Sequence, residues 1–165
     1  VGDKRCGHLP GKQLVSTDAM LDRIRIAKGA QRDPDFVVMA RTDANSVEGF
    51  DAAVARARHY AAAGADMIFA EALTSLEQYK SMADSVPVPV LANLTEFGKT
   101  PMFHREQMRQ AGIRMVLYPL TAFRAMNQAA KLAYETIRRD GSQSEILAQL
   151  QTRQELYDLI GYKVD

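Results

Sequence analysis

Four short apolar runs, each followed by a stretch with helical spacing, constrain this 165-residue chain more than any other feature. They are Phe36-Val37-Val38-Met39-Ala40, Asp66-Met67-Ile68-Phe69-Ala70, Val88-Pro89-Val90-Leu91-Ala92 and Arg114-Met115-Val116-Leu117-Tyr118. Runs of this length with no polar alternation predict strands covered on both faces. A helix between each strand and the next predicts parallel pairing, so the chain reads as α/β. Helices are expected from Ser16 or Thr17 to about Gly29, from Val47 to Ala63, from a Thr74/Glu77 capping box, and over Arg105–Gln110. The longest is expected from Thr121 to Arg139, where Gly141 ends it. The last two helical segments, Ser144 to Leu150 and one opened by a Thr152/Glu155 box, have no strand after them and are expected to dock elsewhere.

Three of the four runs end in polar groups: Arg41 with Thr42 and Asp43, then Glu71, then Asn93 with Thr95. In parallel α/β folds, whether barrels or open sheets, ligands bind at the carboxyl ends of the strands. Arg41 suits a carboxylate held bidentately. Glu71 suits acid–base work or a metal, directly or through water. Asn93 and Thr95 suit a carboxylate or hydroxyl. Thr42 and Asp43 are equally well read as loop caps. The one cysteine, Cys6, stands in Lys4-Arg5-Cys6-Gly7-His8, where neighbouring cations favour the thiolate and a reactive or substrate-facing role. One thiol, one arginine, one glutamate and two neutral donors make a set suited to a small polycarboxylate.

Charge and composition exclude other classes. A net charge of +1 makes no electrostatic case for nucleic acid or an acidic membrane. A single cysteine and three scattered histidines give no zinc spacing and no internal disulfide. Glycine-rich phosphate loops are absent from the sequence. No apolar run reaches transmembrane length and no secretory pattern opens the chain, so a reducing cytoplasm is the expected setting.

Several stretches, in register over residues 4 to 162, resemble the isocitrate lyase and phosphoenolpyruvate mutase superfamily. They are Lys4-Arg5-Cys6-Gly7-His8, Met39-Ala40-Arg41-Thr42-Asp43-Ala44, Ala70-Glu71-Ala72, the run from Asn93 to Pro101 and the run from Tyr118 to Asn127. Lys-Arg-Cys and Asn-Leu-Thr-Glu-Phe-Gly resemble the methylisocitrate-cleaving branch more than the isocitrate lyases. The resemblance implies a (β/α)8 barrel of which this chain carries about the last four units. Residues 1–12 would be a catalytic lid loop, 13–140 four βα units and 141–165 terminal helices. It implies metal-assisted cleavage of (2S,3R)-2-methylisocitrate to pyruvate and succinate, in propionate breakdown by the methylcitrate cycle. Cys6 would protonate the succinate carbanion. Cys6, Gly7, Arg41, Glu71, Asn93, Leu94, Thr95, Arg124 and Arg153 would form the substrate site. Mg²⁺ or Mn²⁺ is implied, with direct ligands in a missing N-terminal half and Glu71 near the ion through water. A homotetramer that swaps C-terminal helices is implied as well. Cleavage of isocitrate or of another carboxylic acid handled by the superfamily, and a truncated non-catalytic fragment lacking the metal-binding half, are the competing expectations, and the chain alone is expected to be inactive.

Overall fold

The computed structural model describes residues 11–163. They fall into two compact units divided between Thr121 and Ala122.

The first unit contains a sheet of four parallel strands, β1 (Met39–Thr42), β2 (Met67–Ala70), β3 (Val90–Asn93) and β4 (Met115–Leu117), in the spatial order β1-β2-β3-β4. Each strand pairs with the next in sequence, without the reversal of order that marks an open doubly wound sheet. This is an uninterrupted arc of a (β/α)8 barrel, half of the strands a closed barrel requires. Helices α1 (Thr17–Ala30), α2 (Phe50–Ala62), α3 (Leu76–Ser85) and α4 (Arg105–Gln110) lie in this unit. A 3₁₀ turn over Ala44–Ser46 leads from β1 towards α2.

Register divides the sheet into two faces, because successive side chains point to opposite sides. Ala40, Ile68, Ala70, Val90, Ala92 and Leu94 share the main core with Ile24 of α1, Ala53, Ala57 and Tyr60 of α2, Tyr79 and Met82 of α3 and Met108 of α4. On the opposite face Arg41 is in register with Phe69, Phe69 with Leu91, and Leu91 with Met115. The expectation of strands covered on both faces holds in full only for β3. On this second face Arg41 and Met115 of the flanking strands are exposed, while Leu91 of β3 is buried.

Two local expectations are corrected. The first apolar run enters the sheet at Met39, leaving Phe36 and Val37 exposed. Pairing sets that boundary: Asp66 N–H donates to the Val38 carbonyl, and the Asp66 carboxylate accepts from Val38 N–H at 2.8 Å. The cap of α3 is Ser75, whose hydroxyl accepts from Gln78 N–H, while Thr74 N–H donates to the Gln78 side chain at 2.8 Å. Two hydroxyl residues stand side by side with two acceptors three residues on, and the fold uses the second pair. The Thr152/Glu155 box of the last helix forms as expected.

The second unit holds α5 (Thr121–Asp140) from Ala122 onward, a 3₁₀ segment over Ser144–Gln149, and α6 (Arg153–Ile160). Thr136 and Ile146 are buried in it. A cavity of about 320 Å³ lies between Ala125, Ala129 and Leu132 of α5 and Ile146 and Leu150. Met126, Tyr134, Leu159 and Ile160 are exposed. No helix among the described residues is long and apolar enough to cross a membrane.

Candidate active site

The second face of the sheet, that of Arg41, Phe69 and Leu91, ends at the carboxyl side of its strands in a cluster of charge. Arg41 belongs to β1, Asp43 follows it two residues later, Glu71 follows β2, and Asn93 closes β3. All four continue the alternation that puts Phe69 and Leu91 on that face. The ladder continues past β2, since Glu71 N–H donates to the Thr42 carbonyl at 3.1 Å.

Glu71 is buried to 2% exposure, and its carboxylate is enclosed by donors. Arg41 Nη2 lies 2.6 Å from Oε2. Ala72 N–H donates to Oε1 at 3.0 Å, and Asn93 Nδ2 approaches both oxygens at 3.5 Å. A buried carboxylate is tolerable only with such company. The backbone helps to aim it: Ala72 sits at φ 58°, in the left-handed region an alanine rarely enters. Asn45 Nδ2 donates to the Ala72 carbonyl at 2.6 Å and holds that conformation from the β1 side.

Arg41 turns its fork to a carboxylate of its own chain. Nε donates to Asp43 Oδ2 at 2.8 Å and Nη2 to Oδ1 at 3.0 Å. The guanidinium carbon stands 5.0 Å above the centre of the Phe69 ring, its partner in register, a cation–π contact. Lys12 adds a third donor to Asp43, at 2.9 Å from Oδ1. Burial works against the ionised form of Asp43, but the hydrogen bonds and charges of Arg41 and Lys12 outweigh it and hold its pKa below the ordinary 3.8.

Asn93 carries an unsatisfied acceptor. The residue is 8% exposed, and its Oδ1 is buried with no hydrogen-bond partner. Such an orphan is costly in a folded protein and marks a place where a donor is wanted. Thr95 is buried in the turn after β3, where its carbonyl accepts from Gly98 N–H. Leu94 sends its side chain into the helix-facing core and its N–H to the Leu117 carbonyl at 2.9 Å.

The fold thus brings together Arg41, Glu71 and Asn93, with Leu94 and Thr95 next in the chain. Arg124, in the first turn of α5, and Arg153, the first residue of α6, belong to the second unit, and both are exposed. Cys6 and Gly7 lie outside the described residues. Three residues that shape the cluster were not among the expected site residues: Lys12, Asn45, and Asp43, which reads equally well as a loop cap. Lys12 had no local signal at all, being a lysine beside Pro10 and Gly11 in a segment that looks solvated.

As direct ligands for a divalent ion these groups do not fit. Both oxygens of Asp43 and both of Glu71 accept from cationic or amide donors. Among the described residues no group of three or more His, Cys, Asp or Glu side chains is placed to hold a metal ion.

Comparison with known proteins extends the picture. The family described as phosphoenolpyruvate phosphomutase matches residues 1–138. The chain is 56% identical over 162 residues to a 2-methylisocitrate lyase of Escherichia coli (strain K12), covering 98% of this chain and 55% of that protein. It therefore spans about half the length of the curated relatives it matches. Among solved structures, a 2,3-dimethylmalate lyase superposes with a TM-score of 0.86 at 37% identity, over 98% of this chain and 54% of that one. A phosphonopyruvate hydrolase in complex with oxalate and Mg²⁺ superposes with a TM-score of 0.75 at 29% identity, over 92% of this chain and 55% of that one.

Proposed function

Because the chain belongs to the phosphoenolpyruvate phosphomutase family, within the isocitrate lyase superfamily, we propose that it is the C-terminal portion of a carbon–carbon lyase acting on 2-methylisocitrate. One observation of the site carries the reading. A buried carboxylate, Glu71, stands beside an amide acceptor, Asn93 Oδ1, that lacks a donor. A tertiary hydroxyl flanked by carboxylates supplies that donor.

In this reading the substrate hydroxyl lies between Asn93 Oδ1 and Glu71, and a carboxylate is recognised through Arg41 and Thr95. The hydroxyl passes its proton to the Glu71 carboxylate as its C–O bond becomes the carbonyl of pyruvate. The adjacent C–C bond breaks, and its electron pair passes to the carbon that becomes part of succinate. That carbon takes a proton from the Cys6 thiol, with Gly7 offering backbone contact, and both products are accounted for.

The longer enzyme is a Mg²⁺- or Mn²⁺-dependent lyase whose direct metal ligands come from residues outside this chain. The whole is a single barrel, residues 1–12 its lid, 13–140 four of its βα units and 141–165 terminal helices that associate with a neighbouring subunit in a homotetramer. Its place is the cytoplasm, in propionate breakdown through the methylcitrate cycle.

The test is a paired assay of a polypeptide that contains this chain at the length of its relatives, with Mg²⁺, on 2-methylisocitrate and on isocitrate. Preferred formation of pyruvate and succinate is expected. Dominant isocitrate turnover overturns the substrate. The half-length of the chain favours a second statement: the 165 residues alone do not catalyse the reaction. Intact mass together with activity of the isolated chain decides this, and turnover by a sample of 18.3 kDa refutes it.

A further inference from the structure

Lys12 is the most unexpected residue in the first unit. It follows the glycine that opens the described chain, it is 8% exposed, and its ammonium reaches across thirty-one residues of sequence to Asp43. An ammonium taken out of water needs a partner of opposite charge, and the usual tenant of such a place is an apolar side chain. A cation here therefore calls for an explanation beyond packing.

Asp43 supplies it. Its carboxylate accepts from three donors: Lys12 Nζ and Arg41 Nη2 on Oδ1, and Arg41 Nε on Oδ2. A bidentate fork makes the guanidinium coplanar with the carboxylate it grips. The plane of Asp43 therefore sets the plane of Arg41, and that plane delivers Nη2 to Glu71 at 2.6 Å and lays the guanidinium over Phe69. An aspartate turns about its terminal bond unless a further contact stops it. Lys12 is such a contact.

We propose that Lys12 is a positioning residue that, through Asp43, fixes the Arg41 guanidinium against Glu71 and so ties the chain six residues beyond Cys6 to the strand-end site. Lys12 touches no substrate in this account; it acts by locking the carboxylate that aims the arginine. The inference rests on the reading of Arg41 and Glu71 as the binding site. Its geometric part does not depend on which acid is bound.

Two measurements test it on Lys12→Met, with Lys12→Gln as a second variant that keeps a donor but no charge. The first is side-chain ¹⁵N NMR of this chain, reading solvent exchange of the Arg41 Nε–H. Exchange is expected to quicken by about tenfold or more in Lys12→Met, with the backbone spectrum of β1 to β3 retained. The second is steady-state kinetics in the relative-length polypeptide. KM for 2-methylisocitrate is expected to rise by about tenfold, with kcat falling less than about threefold, as weakened ground-state binding predicts. A purely structural lysine lowers the melting temperature and moves neither quantity. Exchange and KM both within about twofold of the parent in a folded variant overturn the proposal. Failure of both variants to fold overturns it too, since it assigns Lys12 to stability. A parent protein with no turnover of 2-methylisocitrate sinks the lyase reading instead, and the exchange measurement still decides the positioning role.

Discussion

Asn45 donates to the carbonyl of Ala72 at 2.6 Å, and Ala72, at φ 58°, is the residue whose N–H turns back to the Glu71 carboxylate. A loop residue after β1 thereby keeps strain beside the buried carboxylate after β2. Removing the clamp with Asn45→Ala is expected to cost about 1–2 kcal/mol, the loss of a well-made hydrogen bond to a buried carbonyl. Ala72→Gly is expected to be neutral or stabilising by up to about 1 kcal/mol, since glycine enters the left-handed region freely. Denaturant midpoints of the two variants check both signs, and a destabilising Ala72→Gly contradicts the strain.

Glu71→Gln separates charge from shape. The amide keeps an acceptor for Ala72 N–H, and Arg41 keeps both of its bonds to Asp43. Folding is therefore expected to survive, with the melting temperature shifted by only a few degrees. On the proposed lyase reading, kcat of a polypeptide of the relatives' length is expected to fall by about 10²–10⁴-fold, the usual effect of removing a group that handles a proton. Melting curves and kcat on one preparation make the comparison, and near-parent kcat removes Glu71 from the chemistry.

On the same proposed reading, Cys6→Ser in a polypeptide of the relatives' length is expected to lower kcat by orders of magnitude with a modest change in KM, because a serine hydroxyl is a far weaker acid than a thiol. Single-turnover product analysis checks this directly. A kcat close to the parent value takes Cys6 out of the acid role.

Acid and alkali act on different groups. Asp43 is held below its ordinary 3.8 because Arg41 and Lys12 overcome the effect of its burial. Asp66 is lowered by Val38 N–H and Lys28, and Glu48 is lowered by Arg56. A group with a depressed folded pKa contributes stability that is present above its unfolded value and lost as pH falls through the folded one. Stability is therefore expected to hold down to the unfolded values of 4.5 and 3.8 and to decline below them. Burial raises the Tyr79 hydroxyl from 10.0 to about 12, with the Glu71 charge adding to it and the Thr100 hydroxyl opposing. The neutral phenol is the one favoured in the fold, so stability is lost as pH rises from 10.0 through about 12. Thermal melts across pH measure both limbs, and Asp43→Asn is expected to blunt the acid one.

Much of this was legible in the sequence, for physical reasons that differ by residue. Glu71 and Asn93 stand out because each breaks an apolar run at the carboxyl end of a strand, where parallel folds place ligands. The strands are legible because a parallel arc needs continuous apolar runs at the helix-facing side. Where β1 begins was not, since Phe36, Val37 and Val38 are as apolar as Met39, and only pairing with Asp66 decides it. The cap of α3 was ambiguous between Thr74 and Ser75 for want of any local preference. Lys12 was illegible because its burial depends on Asp43, thirty-one residues away. Asn45 was illegible because its task is the backbone of Ala72, a contact no sequence spacing announces.

The cluster of Lys12, Arg41, Asp43 and Glu71 contains two cations and two anions in mutual contact. Between them they cancel, so these four groups offer an incoming polyanion no net field at a distance. On the proposed lyase reading, capture of a tricarboxylate by this edge of the sheet is then a matter of short-range hydrogen bonding, which added salt barely screens, and any long-range pull on the anion has to originate in other residues. Ionic strength thus distinguishes two parts of recognition: encounter, set by charges elsewhere, and docking, set by a neutral lattice of donors and acceptors at the ends of β1, β2 and β3.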